Sequence, residues 1–527
     1  MIKREISDFD VAGKRERDLL PRLKEYIEYI KKDRPYHELI FVVYGLPGTG
    51  KRTAMEQAYA CYHDTIKSAF YEVQVDDDNK TIKKLLGEAW DNDTRLIFLD
   101  GIERSRDFVR ISSYLTNLFS VKGMCIVVSG DDSLSFDIAK RGELYCRTVD
   151  FHTTYMPYTE YCRMFGISRL ADYLRFGGFM SAEKGKPVVT DYESACRYLE
   201  DAIAGNIKRS LERDSFRDYI KEISLEELCA IIKKAVSLFV GVFAEDALRR
   251  QMEKIKDGCS VQSILGIIDN GLLKLSSYPY FHRYDISEDF LTAINANRQG
   301  FKYVHKWMLW PLVEDLVRMD FLSYTEELIY EFKDEGWKIS GSVFPNHIVQ
   351  PVIKYCFLQK GLESIEQDES YKKLPEEVRN YIFGKINRKI FQHMAEQCII
   401  LDTRKALYNP RRSYDIDVCK IIFRKDGNLC AEYGMVVHRR YGMYWVFTIN
   451  LSTEPSLKQE GYLKDEALRT AVDYGHGERQ IAAVLYEGKS YINNDGIIYF
   501  NILEFLLAIE LFRDMEKAIA ALKAKLP

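Results

Sequence analysis

The sequence predicts an α/β protein: a doubly wound parallel sheet at the N-terminus, a helical middle, and a second α/β unit at the C-terminus. Three observations carry this reading. Residues 38–44 (ELIFVVY), 95–100 (RLIFLD) and 124–130 (MCIVVSG) are short apolar, β-branched runs of the kind that forms strands buried on both faces. Helical stretches at 81–89 and 108–120 separate them, and strand, helix, strand at this spacing means parallel strands with right-handed crossovers. Strand patterns return at 415–423, 429–437 and 444–451, the first two joined by the turn Lys425-Asp426-Gly427-Asn428. A further strand at 480–486 and a long helix at 502–522 follow.

The remaining elements fall in order. Residues 14–33 read as an amphipathic charged helix, and a helix is expected to begin at Lys51, directly after a Gly/Pro-rich turn. From about residue 166 the apolar residues recur at helical spacing, as in 191–212 and 225–240. The stretch 315–325 followed by 337–349 suggests a small helical unit ending in a turn and strand, as a winged helix would. A chain of 527 residues is too long for one core. Boundaries are expected to give units 1–165, 166–300, 301–365 and 366–527, with no internal repeat.

Composition limits the function classes. With 46% hydrophobic and 29% charged residues, each unit can bury a core, and extended disorder is not expected. Lys and Arg total 75 against 79 for Asp and Glu, a formal charge of -4, so no general electrostatic pull toward nucleic acid or anionic membrane exists, although a local basic face could still meet nucleic acid. The longest apolar run, 235–243, is far short of the roughly 20 residues that span a bilayer, and the first residues do not resemble a signal peptide. A cytoplasmic protein with no membrane partner is the expectation. Eleven cysteines without CxxC pairs or a His cluster indicate neither a zinc site nor a disulfide framework.

The most specific signal is Gly45-Leu46-Pro47-Gly48-Thr49-Gly50-Lys51, which fits G-x-x-x-x-G-K between a strand and a helix. Glycines there let backbone N–H groups turn toward phosphate oxygens, the helix N-terminus adds partial positive charge, and Lys51 neutralises the terminal phosphates. ATP or ADP is the expected ligand. The residue after the lysine is normally Ser or Thr, whose hydroxyl ligates magnesium; here it is Arg52, with Thr53 one place later. A guanidinium cannot ligate a cation, though it can supply positive charge in place of one. Thr53, about 100° further round the helix, would need a shifted backbone to act as the ligand, so magnesium is doubtful.

Downstream, the strand 95–100 ends in Asp100, placed to hold a magnesium-bound water. Ser129 ends the next strand, where a polar sensor of the γ-phosphate would sit. Glu103 could reach in as a base or could be a solvated loop glutamate, and Arg147 reads equally as an arginine finger or a surface cation.

These residues also carry a resemblance. Tyr44-Gly45-Leu46 with Thr49-Gly50-Lys51, then Ile97-Phe98-Leu99-Asp100, then Ser129-Gly130-Asp131-Asp132-Ser133-Leu134-Ser135-Phe136, resemble prokaryotic ATPases that join an AAA+ domain to a winged helix and a C-terminal PD-(D/E)xK nuclease-like domain. The likeness continues through Leu144-Tyr145-Cys146-Arg147, His152-Thr153-Thr154-Tyr155-Met156-Pro157-Tyr158 and Tyr173-Leu174-Arg175-Phe176-Gly177-Gly178. It implies a P-loop AAA+-type nucleotide-binding domain at 1–165, a helical lid and linker at 166–300, a winged-helix-like unit at 301–365 and a restriction-endonuclease-like α/β domain at 366–527. Two departures strike hydrolysis more than binding: relatives usually carry Thr where this chain has Arg52, and the general-base Glu where it has Gly101.

In the C-terminal domain, relatives show an Asp on one strand and Tyr-Glu-x-Lys on the next. Here Asp415 or Asp417 can be the first acid, but aligning Tyr433 puts Gly434 at the Glu position and Val436 at the Lys position, leaving Glu432 as a migrated carboxylate with no lysine nearby in the sequence. An inactive nuclease fold is the expectation. The favoured reading is therefore an ATP-binding switch with weak or absent hydrolysis. The alternatives are a working ATPase coupled to DNA processing or defence, using Thr53 and Glu103 as displaced catalytic groups, and a structural interaction protein with a vestigial loop.

Overall fold

The computed structural model describes residues 1–9, 15–31, 40–105, 108–116, 123–142, 144–180, 189–211, 221–240, 252, 255, 260–274, 288–296, 302–408, 416–439 and 442–526. Asp415, residues 14 and 32–33 of the first predicted helix and residues 117–120 of another lie outside them.

The first sheet has six strands: β1 (Ile2–Arg4), β2 (Ile40–Gly45), β3 (Ser68–Glu72), β4 (Leu96–Asp100), β5 (Cys125–Gly130) and β6 (Thr148–Thr153), in the order β1-β3-β4-β5-β2-β6. Strands β2 to β6 are parallel, and β1 caps the edge antiparallel to β3. Alternate residues along each strand serve opposite faces. Phe41, Val43, Phe98 and Val127 pack with α1 (Leu19–Lys31) and α2 (Lys51–Tyr62). Ile40, Val42, Ile97, Leu99, Ile126 and Val128 pack instead with α3 (Asn79–Asp91), α4 (Phe108–Tyr114) and α5 (Ser133–Arg141). This is the doubly wound parallel sheet that the apolar runs predict. Strand register aligns the C-terminal ends: Asp100 lies beside Ser129, Val43 beside Ser129, and Gly45 beside Thr153. The phosphate-loop motif, Asp100 and Ser129 therefore share one edge.

The middle is helical, with α6 (Tyr158–Phe165), α7 (Leu170–Phe176) and α8 (Tyr192–Tyr198), which continues through a π turn into α9 (Gly205–Leu211). Asp191 caps α8, accepting from the Ser194 N–H at 2.7 Å. Helices Leu225–Val240 and Lys306–Arg318 also belong to this region.

The second sheet takes strands from both sides of residue 365. The stretch 337–349 contains most of β9 (Gly336–Val343) and all of β10 (Asn346–Ile348), with Pro345 between them. Strand β10 pairs with β7 (Leu322–Tyr324), whereas β9 forms a hairpin with β8 (Glu326–Lys333). Strand β8 then runs parallel to β11 (Ile416–Lys425), so pairing crosses the boundary placed at 365. The full order is β15-β16-β14-β13-β12-β11-β8-β9, including β12 (Asn428–Arg439), β13 (Gly442–Asn450), β14 (Gly477–Tyr486), β15 (Tyr491–Ile492) and β16 (Ile498–Asn501). The hairpin covers the edge of β11, and β9 becomes the outer strand of the sheet. The β11–β12 turn forms as read, with Asp426 and Gly427 both at positive φ (51° and 76°), the two-residue geometry that Asp-Gly favours.

The predicted helix 502–522 is two helices, Ile502–Phe512 and Met515–Lys523. Arg513 turns left-handed, and the Asp514 side chain accepts from the Lys517 N–H, capping the second helix in competition with a continuous one. A 32-residue helix, Glu376–Leu407, precedes β11 and links the two halves of the chain. Tyr155, just past β6, donates to Asp402 of that helix at 2.6 Å, and the Tyr158 N–H reaches the other carboxylate oxygen at 3.0 Å. Among the described residues no helix is long and apolar enough to cross a membrane.

Candidate nucleotide-binding site

The loop between β2 and α2 is shaped by its glycines. Gly48 and Gly50 sit at φ 76° and 78°, a left-handed region costly for other residues, and this turns the chain so that α2 begins at Lys51. Gly45, at the end of β2, lies against Thr153, where an added Cβ would fall 1.8 Å from the carbonyl oxygen. Among the described residues, the N–H groups of 48 to 53 have no hydrogen-bond acceptor, while the Ala54 N–H closes the first helical turn on Gly50. Six N–H donors at a helix N-terminus form a concave anion site.

The Lys51 ammonium is buried and folds back over this turn. It donates to Gly45 O (3.1 Å) and Leu46 O (2.7 Å) and pairs with Asp131 at 2.6 Å. The Thr49 hydroxyl is fully buried between Leu46 O and the Thr153 hydroxyl. Three contacts brace the outer side: Met180 N–H to Gly48 O (2.8 Å), Tyr198 hydroxyl to Pro47 O (3.2 Å), and the Arg17 guanidinium to Thr49 O. Arg17 is itself held by a buried fork with Glu160, Nε to Oε1 at 2.5 Å and Nη2 to Oε2 at 2.9 Å. Sequence reasoning missed Arg17, Glu160 and Tyr198, because nothing local in the chain marks a residue that reaches a distant loop.

Asp100 accepts from the Ser129 hydroxyl at 2.5 Å, and its other oxygen faces Arg52 Nη1 at 3.6 Å. Burial pushes the Asp100 carboxyl up, against the pull of that hydrogen bond and of Arg52. Arg52 also contacts Glu56 (2.9 Å) and Glu72 (3.3 Å), and Glu72 is shared with Arg4 (2.7 Å) and Arg104 (3.3 Å). Thr53 is the third residue of α2 and half-buried. Magnesium does not fit these residues. Position 52 offers no oxygen, and the guanidinium cancels the carboxylate a metal would use. With an effective dielectric near 20, a divalent ion about 4 Å from either group feels about 8 kcal/mol, of opposite sign for the two.

Glu103 is not a solvated loop residue. It is buried, accepts from the Asp131 N–H at 3.0 Å, and is pushed up to about 7 by burial and by the charge of Asp131. The turn before it starts at Gly101, held at φ 73° with its N–H on Ser129 O, and this left-handed turn sends Glu103 back beneath β5. Arg147 immediately precedes β6, at the opposite end of the sheet, so roughly 17 Å of strand separates it from the loop of its own chain. It donates to the Thr116 hydroxyl at 3.3 Å.

Neither a protein-family model nor a curated protein matches the sequence. Among solved structures, the chain is similar to the Aeropyrum pernix Orc1 protein in complex with DNA, at 14% identity over 70% of this chain and 97% of that one, TM-score 0.22. It is similar to Cdc6p from Pyrobaculum aerophilum at 12% identity over 69% and 99%, TM-score 0.20. For AMPPCP-bound DnaA from Aquifex aeolicus the identity is 12% over 60% and 91%, TM-score 0.21. Superposition at these scores is loose, and function follows from the loop and its neighbours alone.

The C-terminal sheet holds a second ionic centre. Lys420 on β11 is buried and donates to Glu396 of the long helix at 2.7 Å, and it pairs with Glu432 on β12 at 3.0 Å. Glu327 is its register neighbour on β8. The sequence reading found no lysine near Glu432; strand pairing supplies one from β11. Burial opposes the ammonium charge, but Glu396, Glu432 and Glu327 outweigh it and hold Lys420 well above its ordinary value. Glu327 is pushed up to about 7 by burial. Asp417 lies exposed at the start of β11, opposite His438, and is not part of this centre. Among the described residues no group of three or more His, Cys, Asp or Glu side chains is arranged to hold a metal ion.

Proposed function

We propose that this chain is an AAA+-type nucleotide-binding switch in which ATP or ADP, held by residues 45–53, sets the arrangement of the sheet domain against the C-terminal half, with weak or absent hydrolysis. The observation that carries this is the turn with six N–H donors and Lys51 at the head of α2. Gly45, Pro47, Gly48, Thr49, Gly50 and Lys51 would cradle the phosphates, Lys51 exchanging Asp131 for them, and Ser129, turning its hydroxyl away from Asp100, would sense the last phosphate. A route for the switch is present: Thr153 touches Thr49 at 2.8 Å, the Lys405 ammonium reaches Thr154 at 3.0 Å, and Tyr155 holds Asp402. The helix Lys306–Arg318 with the ribbon and hairpin of β7 to β10 keeps the order of a winged helix, with its hairpin lent to the next sheet. Residues 366–527 are read as a nuclease-like fold without nuclease chemistry, because Lys420 already occupies Glu396 and Glu432 as ion-pair partners.

The working-ATPase alternative has one observation in its favour, the buried Glu103 pushed to about 7, a suitable value for a base. Phosphate release decides between them. The switch reading expects turnover far below the common range of about 1–10³ per second, unchanged in Glu103→Gln. An ordinary rate that Glu103→Gln stops would establish the alternative. Gly101→Glu is not expected to restore a base, since its left-handed backbone and the Arg104 side chain 2.9 Å from an added Cβ both oppose a larger residue.

A further inference from the structure

We propose that the site binds its nucleotide without magnesium, with Arg52 as the built-in countercation of the phosphates; this rests on the nucleotide reading above. A nucleoside triphosphate brings several negative charges to a helix N-terminus, and a divalent ion ordinarily offsets part of them. Here the position that would supply the metal's hydroxyl ligand carries a guanidinium, 3.6 Å from Asp100 and 3.3 Å from Glu72. Arg52 is fixed rather than loose. Glu56, one helical turn on, holds Nε at 2.9 Å and orients the planar fork. Glu72 does not depend on Arg52 for charge, because Arg4 binds it through two nitrogens at 2.7 and 3.2 Å and Arg104 through a third contact. The Arg52 side chain is 40% exposed, and among the described residues only Nε and Nη2 make hydrogen bonds, to Glu56 and Glu72, so Nη1, 3.6 Å from Asp100, keeps N–H donors for a phosphate. Guanidinium groups bind phosphate oxygens through paired N–H donors and need no metal to do so.

The test is calorimetric titration of the full chain with ATP in buffer containing EDTA and in buffer containing magnesium. Wild type should bind with affinities within about threefold of each other. Arg52→Thr should weaken binding by about tenfold or more in EDTA and recover when magnesium is added, because a hydroxyl then stands at the metal-ligand position. Arg52→Gln, which keeps length but neither charge nor a hydroxyl, should weaken in both buffers. Wild type binding only with magnesium overturns the proposal while leaving the nucleotide reading intact. Binding in EDTA that neither substitution weakens removes Arg52 from the role. No binding by wild type in either buffer overturns both readings together.

Discussion

Glu160→Ala is expected to destabilise the protein by about 3–5 kcal/mol, because it leaves the Arg17 guanidinium buried without its counterion. Both side chains are nearly inaccessible, at 3% and 2% exposed, so water cannot take over the lost contacts. Glu160 also receives the Asp18 N–H at 2.8 Å and sits in the first turn of α6, where a carboxylate is favoured by the helix dipole. Removing both charges together in Arg17→Met/Glu160→Leu should cost clearly less than Glu160→Ala alone, since no unpaired charge then remains. Urea denaturation of the three proteins checks this. Equal losses in the single and double variants would show that the pair contributes shape and not charge compensation. Because Arg17 touches Thr49 O, the single variant should also loosen the phosphate loop.

Lys420→Met is the second large effect, about 3–5 kcal/mol at pH 8, because Glu396 and Glu327 lose the cation that makes their burial tolerable. The loss should shrink as pH falls. Carboxyls raised in the folded state bind protons more tightly there than in the unfolded chain. Their contribution is therefore fully present below the unfolded value near 4.5 and is lost as pH rises through about 7. The same reasoning gives Glu327→Gln the opposite sign: it should stabilise the protein at pH 8 by on the order of 1–3 kcal/mol, and by little near pH 4.5. Unfolding midpoints measured at both pH values decide it. A pH-independent effect of either substitution would mean that the carboxylates are already hydrated in the folded protein.

How far these centres could be read from the sequence follows from what holds them. The phosphate loop was legible because its parts are contiguous: an apolar strand, glycines at fixed spacing and a helix start. Asp100 and Ser129 were legible because each ends an apolar run, and parallel register places such ends side by side. Strand β6, TVDFHT, has an exposed and polar pattern and gives no apolar signal, and β8, EELIYEFK, is interrupted by charged residues although it covers β11. The helix Glu376–Leu407 has no single apolar face, because it packs on the N-terminal half through Asp402 and Leu401 and on the C-terminal sheet through Glu396. The sequence leaves Glu103 open between a base and a solvated loop residue, because only the left-handed turn at Gly101 sends it inward. The pairing of Lys420 with Glu432 was hidden because the residue is supplied by the neighbouring strand and no short motif records it.

The central claim is that the loop at 45–53 holds a nucleotide, and calorimetry of ATP and ADP with wild type and Lys51→Ala tests it most directly. Circular dichroism should show the two proteins equally folded, since the carbonyls that Lys51 caps lie in a turn and Asp131 is 44% exposed and can turn to water. Wild type should give a saturable heat for one site per chain, and Lys51→Ala should give none, because the ammonium at the head of the six N–H donors is then gone. Equal affinity in the two folded proteins, or no binding by either, would contradict the account.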